Sequence, residues 1–367
     1  MAGPRRQMCL GRLATNGLRG LLLAALLCLA HVGDARAESA VHESLQLQVV
    51  GGLGGVTQYL KLERPFWENE LPERTNGRIT ASIRPLDSGG LRVQEMLQLM
   101  RLGVVPFGTA LLALVAGDEP ELNAIDLPVL NPDIATLRRT VAAFRQHLAD
   151  ILRTRYDIEL LGIYIYPAQV LFCKAAFTDL DDISGRKVRT SSVGQSELMT
   201  ALGAIPVQVP FAEIVNALRD GVADCAITGT LSGYEIGLPE VTTHVHAMAI
   251  SWGISIFGAN LATWHNLPAD DRAILRSSVA ELEQRIWQQA EADTERGLAC
   301  DAGTISCGKD PERPMTIVPS SAADTQQRLR LLEEVVLPRW IERCGNACAE
   351  AWNTFLAPIH SITVPVQ

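Results

Sequence analysis

Arg189 is the residue of this chain best placed to do chemistry. Lys187, Val188 and Arg189 read as a short strand, followed by a loop, a helix, a strand over 206–209, another helix and a third strand over 222–227. Open α/β sheets hold ligands in the crevice outside the carboxyl ends of their strands, so Arg189 would aim its guanidinium into a cleft. A planar fork of donors there suits a carboxylate gripped bidentately. The competing reading is that Arg189 caps the sheet and pairs with a surface acid, Asp181 or Asp182. Spacing alone does not separate the two.

Signals for catalysis are weak. Gly194-Gln195-Ser196-Glu197 lacks the second glycine of a nucleophile elbow, and the serine between Gly229 and Gly233 is misplaced for one. Among the histidines only His244-x-His246 could set two imidazoles on one face of a strand, and the pair reads as ordinary strand-end histidines rather than zinc ligands. Asp181-Asp182 reads as a solvated turn. The glycine-rich stretch 51–55 follows a first strand but lacks the dinucleotide-binding spacing, and no acid closes a second strand at the usual distance. Its glycines would instead let backbone amides approach a ligand or a facing domain. The sequence thus leads to a binder with no cofactor, no metal and no catalytic set.

The elements that must position Arg189 alternate strand and helix along the chain. Alternating residues 45–50 make the first strand; helices over 58–74 and 93–102, strands over 78–85 and 104–110, and the segment 125–128 complete one half. A helix over 136–156 leads to a strand over 159–166 that crosses to a second half, and the apolar run 244–260 returns. A helix opening near Trp264 and running to about 296 is long enough to lie across both halves. The alternation gives α/β class with discontinuous domains, 38–165 plus about 252–290 and 166–251 plus about 291–367.

The front of the chain bounds its compartment. Arg5, Arg6, Arg12 and Arg19 precede an apolar run over 21–30, and Ala35-Arg36-Ala37 supplies a small-x-small cleavage site, so 1–37 reads as a secretory signal peptide. Cys28 follows Leu27 rather than a small residue, against a lipid anchor, and the Arg5-Arg6 pair leaves twin-arginine export as an alternative route. No other run is apolar enough to span a bilayer, so the mature chain is expected outside the cytoplasm without membrane insertion. Cleavage removes five arginines and Asp34, taking the net charge from −9 to about −13. Such an acidic protein is a poor partner for nucleic acid and must win any anionic ligand with a local positive site. In an oxidising compartment Cys300 with Cys307, and Cys344 with Cys348, read as short-loop disulfides. Cys173 and Cys225 read as buried thiols, a bridge between them being possible but unsupported by the sequence.

The ordered pieces in 182–189, in 201–207 (Ala-Leu-Gly-Ala-Ile-Pro-Val) and in 210–224 (Pro-Phe-Ala-Glu through Gly-Val-Ala-Asp) resemble the substrate-binding proteins of TRAP transporters. The resemblance implies a two-domain periplasmic binding protein fold with hinge strands and a long helix spanning both domains. It implies a periplasmic receptor that captures an organic acid through Arg189 and delivers it to membrane permease subunits. Phe211 falls where that family packs a side chain on the ligand; Thr228 and Thr230 stand where it often has an asparagine; Asp224 matches a structural aspartate. Gln58, Ser88 and Thr109 lie at loop ends that would face the same cleft from the first domain. Many members carry a second arginine on the crossing strand, whereas this chain has Tyr166-Pro167-Ala168-Gln169. A ligand with one carboxylate follows, with Tyr164, Tyr166 and Gln169 left to bond a neutral part of it. The rivals are the binding protein of an ATP-driven importer and a secreted zinc enzyme built on His244 and His246.

Overall fold

The computed structural model describes residues 44–88, 90–308 and 313–366. The expected leader over 1–37 lies outside the described residues. The strands are β1 (Leu45–Val50), β2 (Ile79–Arg84), β3 (Phe107–Leu111), β4 (Ile158–Tyr164), β5 (Gln169–Cys173), β6 (Lys187–Thr190), β7 (Ile205–Gln208), β8 (Cys225–Gly229), β9 (His244–His246), β10 (Ser255–Asn260) and β11 (Thr316–Val318). They form two sheets, ordered β2-β1-β3-β10-β4 and β11-β9-β5-β8-β6-β7. The expected α/β class is therefore observed.

Each sheet is mainly parallel with an antiparallel strand set inside it. β10 runs against both β3 and β4, and β5 runs against both β8 and β9. β3, β8 and β10 are buried at every position, which is why they lack the apolar-polar alternation of a half-exposed strand. Helices cover the faces. That of Ile134–Tyr156 starts at Asp133, whose side chain accepts the Thr136 N–H, and buries Leu137, Val141, Phe144, Leu148 and Ile151 along one stripe.

Among the described residues the chain passes between the sheets three times, through 165–168, through 247–254 and through the long connection from β10 to β11; the first two passages run side by side. Tyr166 N–H donates to Trp252 O at 3.1 Å, Gln169 N–H to Ser251 O at 2.8 Å, and Ile250 N–H back to Gln169 O at 2.8 Å. The Asp126 carboxylate fastens the returning passage by accepting from Trp252 N at 2.8 Å and Ile254 N at 3.1 Å.

The long helix, Ala269–Asp301, has 33 residues, a length of about 50 Å, and touches both halves. Trp287 Nε1 donates to Ile163 O on β4 at 2.8 Å, while farther along Thr230 Oγ1 donates to Asp293 O at 3.2 Å. Contact is closest at Gly297, where an added Cβ would stand 2.2 Å from Leu231 N. C-terminal helices return toward the first half, with Trp340 Nε1 donating to Pro120 O and Arg328 Nη1 to Val129 O, both at 2.7 Å.

Among the described residues three disulfides are present. Cys300–Cys307 and Cys344–Cys348 are the short-loop pairs expected from spacing. Cys173–Cys225 corrects the reading of two buried thiols: the residues lie directly opposite each other on β5 and β8, with Cα atoms 4.1 Å apart. It closes a 52-residue separation, which in the chain-entropy picture makes it the most stabilising of the three. His246 is buried beside Asp324 at 3.6 Å and stacks on Phe177, whereas His244 bonds to Thr243 Oγ1 at 2.8 Å. Among the described residues no helix is long and apolar enough to cross a membrane.

The Gly297 contact yields a stability prediction. Replacing a helical glycine by alanine gains about 1 kcal/mol of propensity, but here the added methyl meets backbone atoms that must be pushed apart. Gly297→Val is expected to lower unfolding free energy by about 1–3 kcal/mol or more, read as a shift in the urea midpoint. An unchanged midpoint would show that the helix does not need this close approach.

Candidate functional site

A cleft of about 550 Å³ opens between the strand ends of the two sheets. One wall holds Leu53, Asp87, residues 91–94, Leu111, Ala113 and Leu114; the other holds Arg189, Thr190, Ser191, residues 208–212, Thr228 and Ser232. Tyr166, Gln169 and Gly253, from the crossing passages, line it as well.

Arg189 is the penultimate residue of β6 and is only 4% exposed. Two backbone carbonyls aim it: Nε donates to Val209 O at 2.8 Å and Nη1 to Ile227 O at 2.7 Å. The surface-acid alternative is not what the structure holds. Asp181 accepts from Gln327 Nε2 at 2.6 Å, and Asp182 accepts from Thr178 N and Oγ1 at 2.8 and 2.9 Å. Among the described residues no carboxylate pairs with Arg189. Burial lowers its pKa to about 10, which still leaves it charged at neutral pH. A buried cation without a protein anion is an unfavourable arrangement that a bound anion relieves.

The other expected residues divide. Phe211, Thr228 and Gln169 line the cleft with Arg189. Thr230 does not, because its side chain turns to the long helix and bonds Asp293 O. Thr109 lies within β3 opposite Phe257, fully buried in the sheet, and the cleft is reached instead by Leu111 at the strand's end. Ser88 Oγ folds back onto Pro85 O at 2.9 Å, leaving its neighbour Asp87 at the cleft. Gln58 is buried, donating from Nε2 to Glu63 Oε1 at 2.7 Å. Tyr164 is buried against Phe257, whereas Tyr166 reaches the cleft.

The glycine-rich loop also differs from expectation. Its amides are taken by the protein: Gly52 N by Glu63 Oε2 at 2.7 Å, Leu53 N by Tyr166 Oη at 2.9 Å and Gly54 N by Asp87 Oδ1 at 2.8 Å. The loop therefore fixes one rim of the cleft through side chains from three elements.

A polar network missing from the sequence reading links the cleft to the crossings. Ser191 N donates to Gln195 Oε1 at 2.9 Å, and Gln195 Nε2 donates to Gln169 Oε1 at 3.1 Å and Ser251 Oγ at 2.9 Å. Gly253, at φ +60°, makes room for Gln169; a Cβ there would fall 2.4 Å from Gln169 Nε2. Gln195 was visible only as a failed nucleophile-elbow position, and nothing local marks it as a partner of residue 169.

Two α/β sheets joined by paired crossings, with a cleft at their strand ends and a charged donor at its wall, define a solute receptor of periplasmic binding protein type. The family model for bacterial extracellular solute-binding proteins, family 7, matches residues 56–300, and the chain belongs to that family, the receptors of TRAP transporters. The C4-dicarboxylate-binding periplasmic protein DctP of Rhodobacter capsulatus is 28% identical over 243 residues, 64% of this chain and 72% of the relative. Among solved structures, a Bordetella pertussis extracytoplasmic solute receptor binding pyroglutamic acid superposes with a TM-score of 0.75 at 20% identity, covering 85% of this chain and 99% of the other. A TRAP periplasmic solute-binding protein from Desulfovibrio salexigens with bound orotic acid gives 0.75 at 17% identity, covering 87% and 99%. At these identities the structural likeness speaks for the fold.

Asp126, which ties down the returning passage beside the cleft, yields a pH prediction. Burial raises its carboxyl to about 7, against the opposing pull of its backbone N–H donors. In the unfolded chain an aspartate ionises near pH 4, so between about pH 4 and 7 the folded state binds more protons. Stability is then greatest at the acid end of this window and falls as pH rises through it. The Asp126 share of that fall is on the order of a few kcal/mol. Urea unfolding at stepped pH is expected to show a shallower decline in Asp126→Asn than in the parent. Equal slopes would place the titrating group elsewhere.

Proposed function

We propose that this chain is an exported, non-enzymatic receptor that captures an organic acid through a carboxylate–Arg189 contact and delivers it to the membrane subunits of a TRAP-type secondary transporter. The observation that carries the reading is Arg189 itself: a buried guanidinium, held by two carbonyls, facing a cleft and lacking a protein anion. Phe211 would pack on the ligand, and Thr228 and Gln169 would bond it. The 1–37 leader accounts for export to the periplasm. Family membership favours this partner over an ATP-driven importer. The C4-dicarboxylate-binding relative supports an acid as cargo.

The two sheets would act as lobes divided as the sequence suggested, 38–165 with about 252–290 and 166–251 with about 291–367. Ligand contacts from both walls then favour the closed state over the open one. The network Ser191–Gln195–Gln169–Ser251 would tie occupancy of the cleft to the passages about which the lobes turn.

Arg189→Ala is expected to weaken binding at least tenfold, and Arg189→Lys to fail to restore it, because an ammonium cannot keep both carbonyl bonds and still offer a fork of donors. The measurement is calorimetry with whichever acid most raises the melting temperature in a thermal-shift screen, with circular dichroism confirming the fold. Unchanged affinity in the alanine variant would overturn the assignment.

A further inference from the structure

We infer that the ligand is an apolar monocarboxylate, a straight-chain or aromatic acid, rather than a short dicarboxylate or a sugar acid. This rests on the carboxylate–Arg189 reading and adds what occupies the rest of the cleft.

The lining combines polar groups beside Arg189 with a larger apolar surface. Around Arg189, at the ends of β6 and β8 and on the crossing, stand Thr190, Ser191, Thr228 and Gln169. Thr190 Oγ1 is paired with Ser196 Oγ at 2.8 Å and Ser191 Oγ donates to Gln195 Oε1 at 3.1 Å, so Thr228 Oγ1 and Gln169 Nε2 are the groups left to join Arg189 in holding one carboxylate. The remaining lining carries Leu53, Leu91, Leu111, Leu114, Val209 and Phe211, with Tyr166, Gln94, Gln208 and Ser232 as its uncharged polar members. Of the six apolar side chains all but Leu111 are only partly buried and present surface that the protein itself does not cover. An apolar ligand body would remove that surface from water.

A second carboxylate would find little to hold it. The only other cation among the described lining residues is Arg92, whose side chain is 78% exposed and already paired with Glu95 at 2.9 Å. Asp87 is the acid of the lining, fixed at the rim by Gly54 N, and would repel a carboxylate reaching across from Arg189. Size agrees: about 550 Å³ lies in the range of sites that enclose ligands larger than a four-carbon acid.

The experiment is calorimetry on protein stripped of co-purified ligand by unfolding and refolding, with matched pairs of acids: butyrate against succinate, hexanoate against adipate, and hexanamide as the uncharged control. The inference expects each monoacid to bind at least tenfold more tightly than its diacid. It expects affinity to rise about three- to fourfold per added methylene from butyrate to octanoate, the factor that corresponds to burying one CH₂. Leu114→Ser should flatten that rise. Hexanamide should bind at least tenfold more weakly than hexanoate. Diacids binding as tightly as, or more tightly than, their monoacid partners would overturn the inference while leaving the Arg189 reading in place. Hexanamide matching hexanoate, or no acid of either kind binding, would instead sink the carboxylate–Arg189 reading and the inference with it.

Discussion

The structure is organised around one positive charge that the protein does not neutralise. Arg189 is held in a buried position by carbonyls of the two segments flanking its strand, Val209 after β7 and Ile227 on β8. Fixing it takes the parallel arrangement β7-β6-β8, because only neighbouring strands ending at the same side can offer carbonyls on both flanks. The cost of leaving a guanidinium partly desolvated is met by these bonds and by the residual charge solvation the open cleft allows. Under the proposed function a ligand anion would complete the arrangement and tie affinity to this charge.

The connections between the sheets hold that geometry in place. The first two passages between the sheets are paired to each other by backbone bonds and pinned by Asp126, so they are narrow and ordered rather than loose linkers. The long helix touches β4 at Trp287 and the start of the Thr230–Ile236 helix at Asp293 and Gly297, giving both halves a common support away from the cleft. Cys173–Cys225 locks β5 to β8 at the end of the strands farthest from Gln169 and Gly229, where the cleft lies. The strand that carries the crossing is thereby fixed to the strand that helps aim Arg189.

Much of this was legible locally. The strand–loop–helix rhythm around Arg189, the order of elements, and the long helix follow from periodicity and turn residues, because those are consequences of a few neighbouring side chains. Side-chain direction at the cleft was not legible. Thr109, Gln58 and Ser88 were placed by their nearness to loop ends and Thr230 by its match to a family asparagine, yet each turns away: Thr109 into the sheet, Thr230 to the long helix, Gln58 to Glu63 and Ser88 onto its own turn. A single residue of phase along a strand, or one rotamer at a loop, decides such cases.

The sequence by itself determined the α/β class, the placing of a charged residue near a strand end, the short-loop cystines and the family. These depend on contiguous residues and on ordered motifs. The tertiary structure decided that Arg189 has no protein counter-ion, since Asp181 and Asp182 spend their oxygens on Gln327 and Thr178. It decided that Cys173 faces Cys225 across a register spanning 52 residues, and that apolar side chains from both walls share one cleft. The reason is the same in each case: a contact between distant segments is fixed by sheet register and packing, which no local window of the chain contains.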